Sequence, residues 1–444
     1  MQSIRFGTMI LLGAVMAMTR HCWAGDLSGN WIAETSSPIT APELTYAHVV
    51  LKVVDGKVSG TWGARTLEGA VTGRNIALSL SNERGDPAGS LKGTIADAKI
   101  SCAGRLTGIG RRMGGSDPAA VLQDVTFKLT PETTPPTKPR DIHYDPKTFF
   151  CYYSGANKPD LHIFPGDIVH TWTPDAGGVD SKGTRLVHGG DCSIGPIFIE
   201  GALPGDTLVV HLLKVRTNRT TARQGTRFYA ATTSAYEAAA KYDSNFDGEY
   251  QLDSGRGIAT LSHPSEHLKN YSVPIRPMLG CISVAPAGEE SYRGTDLGPW
   301  GGNMDYNEFV EGATLYFPVS HPGALFGFGD GHAAMGDGEV TGGALETSMD
   351  VDFSVEVIRG YQTQQVRAEN KDYIMSSGIA GSVADAIQVA TSQLAMWIKK
   401  DYALSDSEVA VFLGAVMQYN ITELVDPHYH VVAKVPKSAL AQLN

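Results

Sequence analysis

Alternation of hydrophobic and polar residues predicts β structure in the first third of the chain. A β-rich run at residues 48–54 ends at Asp55-Gly56, and a second run follows at residues 57–62. Asp-Gly between two such runs indicates a hairpin, because both turn positions need a positive φ. The pattern predicts a small antiparallel barrel or sandwich over residues 25–130. Four further runs of the same kind lie at residues 67–71, 76–80, 90–95 and 125–129.

Prolines interrupt this pattern directly afterwards. Four of them fall within residues 130–139. Proline can continue neither a central strand nor a helix interior. We therefore expect a linker at residues 131–140 and a second domain over residues 141–444.

The second domain begins with β-type patterns and ends with helical ones. From Ser382, hydrophobic residues recur at helical spacing, and Ser405 with Glu408 forms a capping-box pattern. The sequence predicts a helix hairpin at about residues 382–419, followed by a final strand. The expected fold is mainly β, with a smaller C-terminal α+β portion and an extra, small N-terminal antiparallel β domain.

Residues 1–24 have the pattern of a secretory signal peptide. Arg5 gives a positive start, residues 8–18 are mostly apolar, and Cys22-Trp23-Ala24 places small residues at the two positions that a signal peptidase reads. The apolar run is too short to span a bilayer, and no later run is long enough. We expect a periplasmic or secreted protein whose mature chain has no membrane span. A buried N-terminal helix is the alternative.

Composition adds constraints on partners and redox chemistry. Of the 444 residues, 42% are hydrophobic and 19% are charged, which is typical of a globular protein. The formal net charge of −11 argues against a nucleic-acid-binding surface. After export, Cys102, Cys151, Cys192 and Cys281 would remain, and they allow three disulfide pairings between which the sequence does not choose. None belongs to a C-x-x-C pair, so a zinc ribbon is not expected, and a single nucleophilic cysteine stays open.

Candidate chemistry is concentrated in residues 321–339. Asp330, His332, Asp337 and Glu339 occur there within ten residues, separated by glycine and other small residues. Asp330 and His332 are two positions apart, so both side chains point to one face of an extended strand. A carboxylate and an imidazole on one face form half of a site for zinc or a similar ion, and Glu339 is then a candidate general base. An Asp/Gly-rich turn between two strands is the alternative.

Three residues outside this stretch are further candidates. Asp305 follows a flexible Gly-Gly pair by two residues and suits either a metal ligand or an Asx-turn. His170 stands at the end of a predicted strand, where site residues are common, although structural histidines are commoner. Glu200 ends another predicted strand, either as a second candidate carboxylate or as a turn-capping acid.

Acidic residues also alternate along residues 342–358. Glu346, Asp350, Asp352 and Glu356 occupy even positions of this run. Acids at every second position of a strand usually form its solvent-facing side. We therefore expect all four to face solvent.

Four sequence motifs of the second domain occur together in an order and spacing that are typical of one protein family. They are GPIFIEGA with PGD at 195–206, GGNMD at 301–305, PGALF through GDGHAA and GDGE at 322–339, and VDP at 425–427. In this order and spacing, the chain resembles the acetamidase/formamidase family from about residue 145 to the C-terminus, roughly two-thirds of its length. The third stretch is too long and specific to be a chance match.

This resemblance implies a jelly-roll-like β-sandwich with a smaller α+β portion. It also implies an amidase that hydrolyses small aliphatic amides, of the acetamide or formamide type, to a carboxylate and ammonia. The implied cofactor is a divalent metal, zinc, and we expect a homo-oligomer, a dimer. One alternative is a hydrolase of a lactam, a carbamate or a larger amide. Another is a non-catalytic periplasmic binding protein on the same fold.

The ligands of the implied metal can be predicted from the usual coordination of catalytic zinc. Catalytic zinc keeps about three protein ligands and one open position. The resemblance and the donor chemistry together favour Asp305, Asp330 and His332. His170 is the fourth candidate ligand.

The same chemistry sets the expected catalytic groups. An amide needs a polarised carbonyl, an activated water and a proton for the leaving amine. We expect Glu339 to move that proton, with Glu200 in reserve. Asn303 is expected to donate a hydrogen bond to the carbonyl oxygen.

Overall fold

The computed structural model describes residues 27–36, 44–107, 122–188, 190–234 and 245–443. The predicted export signal at residues 1–24 lies outside them. The chain divides into two compact units, Met1–Pro131 and Glu132–Asn444. None of the helices among the described residues is long and apolar enough to cross a membrane.

The first unit is a closed antiparallel barrel, which confirms the predicted N-terminal β domain. Each strand pairs with the next, and the last pairs with the first. Asp55 and Gly56 both have positive φ, 50° and 77°, as the predicted hairpin requires. Alternate hydrophobic residues point inward and form one core. The strands are β1 (Gly29–Ser36), β2 (Leu44–Val54), β3 (Lys57–Trp62), β4 (Arg65–Thr72), β5 (Asn75–Ser81), β6 (Pro87–Ala96), β7 (Lys99–Leu106) and β8 (Gln123–Pro131).

Two sheets form the body of the second unit. A seven-stranded sheet has the order β10-β14-β25-β20-β23-β22, with β12 beside β14. These strands are β10 (Phe149–Phe150), β12 (Leu161–Ile163), β14 (Ser193–Ile199), β20 (Met278–Ser283), β22 (Leu297–Gly298), β23 (Gly301–Asn303) and β25 (Phe326–His332). A nine-stranded sheet has the order β29-β30-β28-β27-β24-β15-β26-β13-β9. These strands are β9 (Asp141–His143), β13 (Ile168–Thr173), β15 (Thr207–Thr217), β24 (Thr314–Pro318), β26 (Met349–Ile358), β27 (Arg367–Glu369), β28 (Tyr373–Ala380), β29 (Gln418–Glu423) and β30 (Tyr429–Pro436).

The two sheets pack face to face, which confirms the expected sandwich. Phe328 of the seven-stranded sheet and Phe353 of the nine-stranded sheet meet edge to face at 5.5 Å between ring centroids. Both belong to one fully buried hydrophobic core. Two smaller sheets complete the unit, one of β11 (Tyr152–Ser154) and β21 (Ser291–Arg293), the other of β16 (Thr221–Arg223), β17 (Glu249–Asp253), β18 (Ile258–Leu261) and β19 (Ser272–Pro274).

The C-terminal portion contains the expected helices. These are α1 (Val383–Asp401), α2 (Asp406–Val416) and the short α3 (Lys437–Leu440). Ser382 caps α1, and the predicted capping box of Ser405 and Glu408 begins α2. The helices bury their apolar side against residues of β28 and β30. The α+β portion is therefore attached to the nine-stranded sheet.

Candidate metal centre and active site

Strand β20 brings together two acids from distant parts of the chain. It pairs on one side with β25, where Cys281 lies opposite Gly329, and on the other side with β23, where Cys281 lies opposite Asn303. Asp330 therefore lies on one flank of β20 and Asp305 on the other. Both acids are fully or almost fully buried.

Gly280 leaves the space in which these two carboxylates meet. A Cβ atom at this position would lie 2.4 Å from Oδ2 of Asp330 and 2.5 Å from Oδ1 of Asp305. Both aspartates also have positive φ, 55° for Asp330 and 38° for Asp305. Such backbone is strained in non-glycine residues and is concentrated at functional sites.

His332 lies at the centre of the acidic cluster and is completely buried. Its Nε2 atom is 3.1 Å from Oδ1 of Asp330 and 3.2 Å from Oε2 of Glu346. Its Nδ1 atom faces the other way and is 3.7 Å from Oδ1 of Asp305. The Nε2 atom of His332 thus lies against the carboxylates of Asp330 and Glu346, while Nδ1 faces Asp305.

The Nδ1 atom of His332 is one of three possible ligand atoms that lie close enough together to bind one metal ion. Asp305, His332 and Glu339 each offer a ligand atom, and these atoms lie within 4.8 Å of one another. Nδ1 of His332 and both carboxylate oxygens of Asp305 are buried without any hydrogen-bond partner. Buried polar atoms are normally satisfied, so this convergence of unmet donor and acceptor atoms points to a cation. One imidazole and two carboxylates are a donor set that zinc accepts.

The surroundings of Nε2 of His332 are those expected for a histidine that binds a metal through its other ring nitrogen, Nδ1. A histidine that binds a metal through one nitrogen usually has its other nitrogen fixed by a carboxylate. Asp330 and Glu346 occupy that position here. For a metal bound through Nδ1, Asp330 lies on the orienting side of His332. Asp330, which the sequence analysis expected to be a ligand, also places a ligand atom within 4.8 Å of those of His332 and Glu346, so these three residues form a second group that could hold a metal ion.

A third group of acids adjoins the first. Asp305, Glu423 and Asp426 also place ligand atoms within 4.8 Å of one another. The backbone N–H groups of Val425 and Asp426 donate to Oε1 of Glu423, while its Oε2 has no partner. Asp305 is thus shared between two potential cation positions.

Burial and mutual repulsion of these acids dominate the electrostatics. Burial and then the charge of neighbouring carboxylates raise the pKa of Asp305 and of Glu339 well above their ordinary values. Burial likewise raises the pKa of Glu346 to about 7 and that of Asp426 to about 8. Burial alone would lower the pKa of His332, but Glu346 and Asp330 outweigh it and raise it well above the usual value. A cluster in which acids are forced to retain protons favours a bound cation.

Asn303 contacts the cluster from β23. Its Nδ2 donates to Oδ2 of Asp426 at 2.6 Å, and its Oδ1 accepts from the thiol of Cys281 at 2.8 Å. One N–H of the amide is therefore used, and the other remains for a substrate oxygen. Burial and then the nearby acids raise the pKa of Cys281 well above its ordinary value, which keeps the thiol protonated and unsuited to nucleophilic attack.

His170 does not join the cluster. Along β13, Val169, Thr171 and Thr173 are buried, whereas His170 is on the opposite, partly exposed side. Its two ring nitrogens lie 2.8 Å from Asp141 and 3.0 Å from Asp352. The expectation that His170 is a fourth ligand is corrected, because strand alternation turns its side chain away from the core.

Glu200 is also far from the cluster. It follows β14, which runs antiparallel to β25, and Ile199 bonds to Gly323 before β25 begins. His332 is at the other end of β25, about 20 Å away at roughly 3.3 Å per residue. Glu200 instead contacts Nδ1 of His162 at 2.9 Å. Its expected reserve role in catalysis is therefore corrected.

Besides Glu423 and Asp426, the sequence analysis missed two further acids near His332. Glu346, expected to face solvent, contacts His332 because residue 346 precedes β26 and forms a separate bridge with β25. Asp350, Asp352 and Glu356 do follow the expected outward alternation. Asp191 also adjoins the cluster, and burial, then Asp330, raises its pKa to about 9. Its position next to Cys192, which forms a disulfide with Cys151, was the available sequence signal.

Two neighbouring cavities border the cluster, and they share the lining residues Gln224, Thr341 and Gly343. One of about 410 Å³ is lined by Glu339 and mainly by apolar side chains, including Val273, Leu345 and Val340. The other, of about 900 Å³, is lined by Glu346 and by a polar wall that includes the buried Arg219–Asp175 ion pair. The apolar cavity suits the hydrocarbon part of a substrate.

Comparison with known proteins agrees with this geometry. Residues 287–382 match the model of the Acetamidase/Formamidase family. That segment carries His332 and four of the acids around it, namely Asp305, Asp330, Glu339 and Glu346. The likeness therefore includes the site and not only the framework.

Relatives extend the likeness over the second unit. The chain is 25% identical to an acetamidase of Mycolicibacterium smegmatis over 215 residues, which are 37% of this chain and 53% of that protein. It is 25% identical to a formamidase of Methylophilus methylotrophus over 298 residues, 52% of this chain and 72% of that protein. The chain thus spans about half the length of the first of these relatives.

A solved structure shares the architecture. The acetamidase of Yersinia enterocolitica has a TM-score of 0.59 and 28% identity, and the match covers 69% of this chain and 94% of that one. The family model, the sequence relatives and the solved structure are all acetamidases or formamidases by name. The chain is therefore similar to members of the acetamidase/formamidase family in its matched segment, its sequence and its fold.

Proposed function

We propose that this protein is an exported, metal-dependent amidase that cleaves the C–N bond of small aliphatic amides to a carboxylate and ammonia. The observation that carries the proposal is the convergence of Asp305, His332 and Glu339, with unmet buried polar atoms on Asp305 and His332. Of these three residues, Glu339 also lines an apolar cavity. Family relatives that are named acetamidase and formamidase support the choice of amides.

The proposed ion is zinc, held by Asp305, His332 and Glu339. When bound, zinc supplies a Lewis acid for the amide carbonyl and lowers the pKa of water. Asp330 and Glu346 orient His332 through its other nitrogen. Gly280 leaves the space that the carboxylates of Asp305 and Asp330 need.

With Glu339 as a ligand, proton transfer passes to Glu423. Its Oε2 is buried without a partner, and its Oε1 is fixed by two backbone N–H groups. A carboxylate so placed can accept a proton from water and deliver it to the departing nitrogen. Asn303, already oriented by Asp426 and Cys281, donates its free N–H to the carbonyl oxygen.

The acyl group of the substrate occupies the apolar cavity beside Glu339. Its volume of about 410 Å³ exceeds the needs of an acetyl group. Side chains such as Val273 and Leu345 bury hydrocarbon rather than bind polar groups. The preferred substrates are therefore aliphatic amides with acyl chains longer than acetyl.

Export remains part of the proposal. The disulfide between Cys151 and Cys192 supports it, because such bonds persist in oxidising compartments. Cleavage after residue 24 would be seen as a shortened N-terminus in the periplasmic fraction, and a full-length N-terminus in the cytoplasm would contradict it. Light scattering tests the expected homodimer.

The deciding experiment is ammonia release from formamide, acetamide, propionamide and butyramide, together with metal analysis of the purified protein. We expect turnover that a chelator abolishes and zinc restores. Undiminished turnover after complete metal removal would reject metal dependence. Bound zinc without turnover of any amide would reject the amidase and favour the binding protein on the same fold.

A further inference from the structure

A third cavity lies between the nine-stranded sheet and the C-terminal helices. It has a volume of about 650 Å³, within the range of small-molecule sites. Its walls come from β24, β27, β28, α1 and α3. None of its lining residues belongs to the acidic groups around His332. The cavity is therefore separate from the proposed amidase site.

Aromatic rings form much of its wall. Tyr316 and Trp397 meet edge to face at 6.0 Å between ring centroids, one from the sheet and one from the helix. Tyr361 and Tyr402 complete the aromatic lining. Flat aromatic walls favour stacking with a planar ligand.

A buried cation lies among these rings. Arg367 is only 7% exposed, and its guanidinium carbon lies 5.0 Å from the ring centroid of Trp397 and 5.9 Å from that of Tyr361. Its Nη1 donates to the hydroxyl of Tyr361 at 3.0 Å, but its Nε has no acceptor. Within the described residues, Arg367 forms no ion pair with a carboxylate. A buried charge without a partner is costly, so this position favours an anion.

The acids that line the cavity are already engaged. Glu369 is paired with Lys437 at 2.5 Å and also accepts from Tyr316. Asp401 accepts from Nε1 of Trp397 at 2.8 Å. These acids therefore leave Arg367 without a counter-charge.

Two further groups favour an anionic ligand. Lys400 lies at the cavity with its Nζ 3.3 Å from the ring centroid of Tyr361, which adds a second positive charge. Thr363 is 3% exposed and lines the same cavity, and its hydroxyl has no partner. A hydroxyl can donate to a carboxylate or phosphate oxygen.

We infer that this cavity is a binding site for a small planar aromatic compound that carries an anionic group. The ring stacks against Trp397 and the tyrosines, and the anion pairs with Arg367 and Lys400. The site is independent of the amidase chemistry, since the two sets of residues do not overlap. A carboxylate and a phosphate are both suitable anions, and the test separates them.

Calorimetric titration of the full chain with benzoate and with phenyl phosphate tests this inference. Benzyl alcohol provides the neutral ring and acetate the anion without a ring. We expect one or both aromatic anions to bind at least about tenfold more tightly than either control, a difference of about 1.4 kcal/mol. The tighter of the two identifies the preferred anion. Equal affinity for benzyl alcohol, or no binding of either aromatic anion, would overturn the inference.

Variants separate this cavity from the metal centre, where a carboxylate could also bind. Arg367→Gln should lose about tenfold in affinity, whereas Glu339→Gln should bind as the wild type does. If Arg367→Gln does not fold, Lys400→Ala, at an exposed position, should still weaken binding of the anion. A ligand-bound crystal structure gives a readout without variants. Density against Arg367 supports the site, and density only at His332 rejects it.

Discussion

Nδ1 of His332 faces Oδ1 of Asp305 at 3.7 Å, while the opposite ring nitrogen is held by other acids. This orientation gives the two nitrogens different functions. The Nδ1 atom has no hydrogen-bond partner, whereas the Nε2 atom is hydrogen-bonded to Asp330 and lies 3.2 Å from Oε2 of Glu346.

Asp330→Asn should weaken metal binding without removing a ligand. The substitution replaces the charge that orients His332, and loss of such a partner costs about 10–100-fold in metal affinity or activity. Competition with a chromophoric chelator measures the affinity. An unchanged affinity would show that Asp330 does not orient the ligand. Asp337→Asn is the matched control, because Asp337 is exposed and accepts hydrogen bonds from the side-chain amides of Asn307 and Asn420 rather than contacting His332.

Glu339→Gln should lower the zinc content of the purified protein as well as amide turnover. Glu339 shares a ligand group with Asp305 and His332, and an amide is a poorer zinc ligand than a carboxylate. Metal analysis distinguishes a ligand from a general base. A variant that keeps its full zinc content but loses turnover would assign Glu339 to proton transfer, and Glu423→Gln would then keep near-normal activity.

Gly280→Ala should abolish activity and metal binding. The added methyl group would collide with the carboxylates of Asp330 and Asp305 at 2.4 and 2.5 Å. Thermal melting and metal content measure the effect. Gly414→Ala is the control, because a Cβ there meets no atom within 4 Å in helix α2, and the change should stabilise the helix by up to about 1 kcal/mol. Normal metal binding by Gly280→Ala would contradict the packing described here.

Butyramide should be a better substrate than acetamide. Two additional methylene groups are worth about 0.8 kcal/mol each when buried, which corresponds to about tenfold in kcat/KM. Val340→Trp fills the cavity beside Glu339 and should remove this preference while leaving acetamide turnover measurable. Val411→Trp is an exposed control on α2. A preference for butyramide that survives Val340→Trp would place the acyl group elsewhere.

Asp167→Asn should destabilise the fold by about 2 kcal/mol at neutral pH. The buried carboxylate accepts hydrogen bonds from the backbone N–H of Arg140, from its guanidinium at 2.6 Å and from the N–H of Phe164 at 2.8 Å. The figure is kept small because the side chain of Arg140 is 41% exposed. Denaturant unfolding measures the change, and the exposed Asp372→Asn should stay within about 0.5 kcal/mol of the wild type.

The same interaction has a defined pH dependence. Burial would raise the pKa of Asp167, but the hydrogen bonds from Arg140 and Phe164 outweigh it and lower the pKa below its ordinary value. The stabilisation is therefore present above about pH 3.9, the unfolded value, and is lost as the pH falls through the lower folded pKa. The difference between wild type and Asp167→Asn should shrink in acid. A difference that grows below pH 4 would reverse the assigned sign.

Local physics accounts for what the sequence determined by itself. The Asp55-Gly56 hairpin and the capping box of Ser405 with Glu408 depend on residues a few positions apart. The shared placement of Asp330 and His332 likewise follows from their spacing on one strand. Such features were predictable because the interacting residues are close together in the sequence.

Which other residues join the site depends on the tertiary structure alone. Glu346 and Glu423 reach His332 and Asp305 from elements that are distant in the chain, and no local pattern encodes such an approach. His170 lies within β13 and Glu200 follows β14, but the face of the first strand and the direction of the second place both side chains away from the cluster. Sheet order, rather than spacing, determines which buried acids share a cation, because a strand's neighbours are chosen by packing across the whole domain.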